Sequence, residues 1–307
     1  MRVALVVCPA SGLGTAARVA GSVAARLRAA VDHLDQYVPE SPQDTDQTLR
    51  RLVDAGTETV VVLGGDGAAH AAVQACAQTE TAMAIIPAGT GNDLARALGL
   101  PKNPIEATAV VADGLRRELR WQIDLGKVAG DRAGGGEVDR GAWFATVLCA
   151  GFDSAVNERV NRMRWPRGPR RYDVAIVAEL AALKPARLTV RTDTETLELE
   201  AISVAAGNTA YYGGGIPVCP AADPTDGWLD VTVVGQAGRR DLIKILPSIR
   251  TGAHVHHPAV RTLRARSVGI EADGGWIGYA DGERIRPLPL EINCVPRALH
   301  IVAGQPI

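Results

Sequence analysis

Apolar positions in the first third of the chain fall into short unbroken runs separated by stretches of helical period. RVALVVC (residues 2–8) predicts a buried strand, followed by a Gly/Ser turn and an Ala-rich helix from Thr15 to Val31. A second strand near Leu34–Val38 leads into a polar stretch and a helix ending near Asp54. TVVVL (59–63) and MAII (83–86) are further apolar runs, each passing straight into glycines and then a helical pattern. Strands apolar on both faces, alternating with helices, imply a parallel sheet covered on both sides.

From Trp121 the texture changes. RWQIDLGKV, WFATVLCAGF, ARLTVRT, LELEAISVAAGN, LDVTVVG, GYADGERI and LPLEINCVP have β character with turns between them. One helical stretch, about Arg170 to Leu183, interrupts them. The expected architecture is an N-terminal Rossmann-like parallel α/β domain over residues 1–122 and an antiparallel β-rich domain over 123–292. The active site is expected in the cleft between them, and residues 293–307 are expected to pack back on the first domain.

Composition is compatible with this and narrows the class. The 307 residues are 47% hydrophobic and 22% charged, enough for two cores. Aromatics are only 4%, so Ala, Val and Leu must fill them. No run is long enough for a transmembrane helix, and the N-terminal apolar run meets Pro9 too early for a signal peptide. The five cysteines are widely spaced without a CxxC pair, which argues against a disulfide frame or a zinc site and for a reducing cytoplasm. A net charge of -1 provides no field for nucleic acid. Arg outnumbers Lys 29 to 4; arginine suits phosphate, and the composition of the source genome explains the bias as readily.

Two turns carry chemistry. The Val60–Leu63 strand ends in Gly64-Gly65-Asp66-Gly67 and opens a helix, so backbone N–H groups and the helix dipole face whatever sits at the strand end. Asp66 cannot itself attract phosphate; its expected role is through Mg²⁺ or a ligand hydroxyl. Taken alone, the four residues also fit an ordinary βα turn with an Asp cap. Pro87-Ala88-Gly89-Thr90-Gly91-Asn92-Asp93-Leu94-Ala95-Arg96 follows the next buried strand. Two such turns on successive strands sit side by side at the carboxyl edge of a sheet, where α/β proteins bind ligands.

GGDG followed about 20 residues later by PxGTxND(F/L)AR resembles the catalytic domain of the diacylglycerol kinase family of soluble lipid kinases, which includes sphingosine and ceramide kinases. Pro9-Ala10-Ser11-Gly12 is similar to that family's opening NPxSG, with Cys8 in place of Asn. Gly207-Asn208, Tyr211–Gly215, Pro220 and Asp226-Gly227-Trp228-Leu229-Asp230-Val231 resemble its GNxxxYGGG…P…DGLLDV block, and Asp281-Gly282-Glu283 its late DGE. The resemblance implies an ATP site formed by Gly64, Gly65, Asp66, Gly67, Gly89, Thr90, Asn92 and Asp93, with Ser11 and Gly12 on the same edge. It implies Glu283 as the base toward a lipid hydroxyl, with Asp281 beside it. A structural Mg²⁺ is implied through one side chain and backbone carbonyls, by position Asp226, with Asp223 and Trp228. Phosphoryl transfer calls for this inventory on chemical grounds too: positioned phosphates, Mg²⁺, and a carboxylate to take the alcohol proton. Asp281-Gly282 alone also fits a type I′ hairpin turn.

The pattern departs from the family at Ala68 and Ala71, where Thr and Glu are usual, and at Cys8; these changes are expected to weaken ATP use. His70, between them, reads as a helix-surface residue or a phosphate contact. Arg159, Arg162, Arg164, Arg167, Arg170 and Arg171 around Trp165 form a basic run that suits either a solvated face or peripheral contact with anionic lipid, at about 1 kcal/mol per cation near the surface. The spacing of His254, His256 and His257 does not make a metal site. The alternatives to a cytoplasmic lipid kinase are a kinase of a non-lipid alcohol, NAD kinase-like enzymes included, and a nucleotide- or lipid-binding protein without turnover.

Overall fold

The computed structural model describes residues 2–130, 141–163, 174–175, 178–179, 185–237, 241, 245 and 247–302. In the N-terminal half, β1 (Arg2–Val7), β2 (His33–Tyr37), β3 (Thr59–Gly64) and β4 (Ala82–Pro87) form a parallel sheet in the order β2-β1-β3-β4. Alternate residues of β1 point to opposite cores. Val3, Leu5 and Val7 pack with Leu27 of α1 (Ser11–Arg28) and with Val111 and Leu115 of α5 (Pro104–Arg116). Ala4 and Val6 face the opposite layer, where Leu49, Ala72 and Leu94 come from α2 (Pro42–Asp54), α3 (Asp66–Cys76) and α4 (Asp93–Ala97). Each fully buried Val or Leu contributes about 1.5–3 kcal/mol, which is why these runs tolerate no polar interruption. Helix starts follow local chemistry: Ser41 Oγ accepts from the Asp44 amide, Asn103 Oδ1 from the Ile105 amide, and a proline follows each cap.

The C-terminal half is antiparallel. It comprises β5 (Trp121–Val128), β6 (Ala142–Phe144), β7 (Val147–Gly151), α6 (Phe152–Arg162), β8 (Ala186–Thr192), β9 (Thr196–Gly207), the short pair β10 (Tyr211–Tyr212) and β11 (Ile216–Pro217), β12 (Leu229–Gly235), β13 (Val260–Ala265), β14 (Ser267–Ala272), β15 (Ile277–Ala280), β16 (Glu283–Pro287) and β17 (Leu290–Ile301). β9 is the organising strand, pairing with β7, β8 and β12. Leu148, Val190, Val204, Val231, Val268 and Ile292 meet in one core. The helix expected at 170–183 and the glycines at 134–136 lie, wholly or largely, outside the described residues.

The halves share a strand. Residues Leu290–Asn293 of β17 pair antiparallel with β14, whereas Ile301 pairs parallel with Met83 of β4. β5 runs beside both ends, from Val128↔Ile292 to Trp121↔Ile301. The Val302 amide donates to Met83 O at 2.8 Å, and the Gln78 amide to Ala298 O at 2.7 Å, so the end of β17 lies against the N-terminal half. Among the described residues no helix is long and apolar enough to cross a membrane.

Candidate active site

Three turns meet at the carboxyl edge of the parallel sheet: 8–14 after β1, 64–67 after β3 and 87–92 after β4. They are packed on one another more tightly than any side chain allows. A Cβ on Gly89 would lie 2.5 Å from Gly65 Cα, and one on Gly12, whose φ is +60°, would lie 1.9 Å from Ala88 O. Ser11, Gly12, Gly64, Gly65, Gly67, Gly89 and Thr90 are thus brought together, with Thr90 exposed on the rim. Beside them opens a cavity of about 480 Å³ whose lining includes Cys8, Ser11, Thr45, Gly67, His70 and Glu283.

Glu283 reaches this cavity from the other half of the molecule. Asp281 (φ +51°) and Gly282 (φ +85°) form the two-residue turn joining β15 to β16, with Ala280 paired to Glu283. Positive φ at both central residues is the type I′ geometry that matches strand twist. The hairpin holds Glu283 Oε1 3.6 Å from where a Cβ on Gly67 would be, over the first turn of α3. The face of α3 toward the second half recurs at helical spacing. Gly67 meets Glu283, His70 Nδ1 meets Asp281 Oδ2 at 3.2 Å, and Gln74 exchanges two hydrogen bonds with the Trp143 backbone.

Several polar residues expected to face a ligand are turned inward instead. Asp66 accepts the amides of Asn92 and Asp93 on its two oxygens at 2.8 and 2.7 Å, so it clamps one glycine turn to the next. The Asn92 side chain closes its own turn on the Gly89 N–H and carbonyl. Asp93 is buried and accepts the Gly214 amide at 2.9 Å, holding the Tyr211–Gly215 loop of the second half against α4. Burial pushes its carboxyl up to about 6, assisted by the Asp66 charge and opposed by the Gly214 and Gly215 amides and by Arg96.

Asp281 has its carboxylate engaged by donors of the protein itself. Its buried carboxylate accepts the Ala145 and Thr146 amides, the Thr146 hydroxyl and the His70 ring. Burial works to raise its carboxyl, and the bonds to His70, Thr146 and Ala145 together bring it below the usual range. His70 is not a helix-surface residue: its side chain is 15% exposed.

Asp223 Oδ1 accepts the Thr225 amide and hydroxyl. Asp226 is ion-paired with Arg264, and the Trp228 ring has the Arg264 and Arg266 guanidiniums 5.7 and 4.6 Å from its centroid. Arg264 Nε is 3.7 Å from Asp230 Oδ2. Arg264 takes up Asp226, whereas Asp230, whose carboxyl is raised by burial and by the Asp223 charge, keeps a buried oxygen without a hydrogen-bond partner; Asp223, Asp226 and the Trp228 backbone remain the groups that would hold a structural Mg²⁺. Among the described residues no three His, Cys, Asp or Glu side chains cluster to hold a metal. The turn is also held by buried Asp124, which accepts the Gly227 and Arg297 amides at 2.6 and 2.7 Å. Sequence reasoning passed over Asp124, although a lone carboxylate inside the apolar WQIDLG strand signals a structural partner. Of the basic run, Arg159 pairs with Glu179, and the side chains of the other five lie outside the described residues.

A glycine-turn α/β domain met by a carboxylate hairpin from a β-rich domain defines, with the comparisons that follow, a two-domain kinase. Residues 2–128 match the model of the diacylglycerol kinase catalytic domain, and residues 146–303 that of the YegS C-terminal NAD kinase beta sandwich-like domain. A diacylglycerol kinase of Mycobacterium tuberculosis (strain ATCC 25618 / H37Rv) is 42% identical over 296 residues, covering 96% of this chain and 92% of that protein. The fold is shared with a diacylglycerol kinase structure from Bacillus anthracis str. Sterne, at TM-score 0.73 and 21% identity over 98% of this chain and 96% of that one. It is shared more loosely with yeast NADH kinase complexed with NADH, at TM-score 0.55 and 12% identity over 99% and 84%. The chain belongs to the diacylglycerol kinase catalytic-domain family.

Proposed function

We propose that the protein transfers the γ-phosphoryl group of MgATP to a hydroxyl of a diacylglycerol-like or long-chain lipid. The observation that carries this reading is the delivery of Glu283, by a hairpin of the second domain, to the first turn of the GGDG helix beside the 480 Å³ cavity. The α3 N-terminus and its Gly65–Gly67 backbone suit a phosphate chain. Ser11 and Thr90 add hydroxyls at the same edge. In the transfer, the lipid oxygen forms a bond to the γ-phosphorus as the bond from phosphorus to the β,γ-bridging oxygen breaks. ADP leaves, and the hydroxyl proton passes to the Glu283 carboxylate. Mg²⁺ carried on the phosphates supplies charge neutralisation. Glu283 is exposed at the cavity and its carboxylate makes no hydrogen bond among the described residues, as a base awaiting a substrate hydroxyl requires. The work takes place where a soluble domain meets its lipid at a membrane surface.

The acceptor class is tested by supplying γ-labelled ATP and Mg²⁺ with mixed vesicles containing diacylglycerol, sphingoid and ceramide lipids, and separately with NAD and small alcohols. Label in a lipid alone supports the proposal. Label in NAD alone, which the NADH kinase-like fold favours as second reading, overturns the lipid acceptor.

A further inference from the structure

We propose that His70, braced by Asp281, binds the nucleotide's phosphate chain through its Nε2–H in the cavity it shares with Glu283. The inference rests on the reading of that cavity as the ATP site and assigns a residue to it.

Geometry carries the argument. His70 is one helical turn beyond the Gly65–Gly67 amides, on the face of α3 that lines the cavity. Its Nδ1 is 3.2 Å from Asp281 Oδ2, and Asp281 is itself immobilised by the Ala145 and Thr146 amides and the Thr146 hydroxyl. A ring tied at Nδ1 to a fixed carboxylate has one orientation, and Nε2–H remains to serve a ligand. Among the described residues Nε2 has no hydrogen-bond partner.

Charge points the same way. The cavity is lined by three carboxylates, Glu40, Asp46 and Glu283, against a single guanidinium, Arg50. An anionic phosphate chain entering there needs a further cation, and His70 is the one residue of the lining that can become one on demand. The groups facing the ring are Asp281 and Glu283 from the β15–β16 hairpin and Asp46 from α2. Burial disfavours the imidazolium, but the Asp281 hydrogen bond and the charges of Asp281, Glu283 and Asp46 outweigh it, so the ring titrates above its usual 6.5.

Linkage makes the claim measurable without turnover: a ligand that prefers the imidazolium must raise the His70 midpoint, by about one pH unit for a tenfold preference. The experiment follows the His70 ring signals by NMR as pH is varied, without and with ADP. ADP affinity is measured across the same range for wild type and His70→Gln. The nucleotide's own phosphate ionisation enters both proteins equally, so their difference isolates His70. The expected result is a nucleotide-free midpoint above 6.5 that drops in Asp281→Asn and climbs about one further unit with ADP. Wild-type affinity should fall roughly tenfold more than that of His70→Gln as pH passes the midpoint. ADP binding with an unmoved midpoint and parallel pH profiles would overturn the inference and leave the nucleotide site standing. Absence of ADP binding to wild type at any pH would overturn both. The wild-type titration stands by itself if the His70 variant folds poorly.

Discussion

Asp66, Asp93, Asp124 and Asp281 share one habit: each turns its carboxylate onto backbone N–H groups of a loop from elsewhere in the chain. A stranded buried donor costs about 1–3 kcal/mol, so Asp66→Ala, which orphans two, should lower stability by about 2–6 kcal/mol in urea unfolding. Asp93 makes a prediction in pH. Its carboxyl is raised to about 6 in the fold against an ordinary value of 3.8, so its contribution is full below 3.8 and is lost as pH rises through about 6. Its Oδ1 is buried without a hydrogen-bond partner, which suits the protonated form. Asp93→Asn should flatten that part of the Tm-against-pH curve. These carboxylates were legible as important and illegible in role. Residue type and spacing mark Asp66, Asp93 and Asp281, but a backbone amide 26 to 136 positions away leaves no local trace. Glu283 was assigned through the family motif, and the structure brings it to Gly67.

Among the elements, α3 joins the domains through Gly67, His70 and Gln74 on one face. Gln74→Ala removes a reciprocal pair of bonds to Trp143 and should cost about 1–3 kcal/mol while increasing hydrogen exchange of β6. Gly89→Ala forces a Cβ to within 2.5 Å of Gly65 Cα, so the two turns must part; nucleotide affinity should fall at least tenfold while far-UV circular dichroism is preserved. The strands were readable because buried parallel strands tolerate no polar residue. The working face of α3 was not, since Ala68, Ala69, Ala71 and Ala72 surround His70 and an alanine-rich helix marks its faces weakly.

At the scale of the whole molecule, β17 and β5 run through both halves, so the sheet is continuous across the domain junction. The change in texture near residue 121 reveals two layers of different character, but only non-local pairing reveals that a C-terminal strand belongs to both. A structural Mg²⁺ held by Asp223, Asp226 and the Trp228 backbone predicts that EDTA lowers the Tm of the nucleotide-free protein, checked by thermal unfolding with and without Mg²⁺; an unchanged Tm would count against a metal there.

In the proposed reaction a carboxylate from the second domain takes the proton of an acceptor hydroxyl over the GGDG turn. Single-turnover transfer from MgATP to diacylglycerol vesicles, wild type beside Glu283→Gln, tests it most directly. General-base catalysis predicts a loss of about 10²–10⁴-fold in the transfer step, with ADP affinity within a few-fold of wild type. Transfer at the wild-type rate by Glu283→Gln would rule out Glu283 as the base.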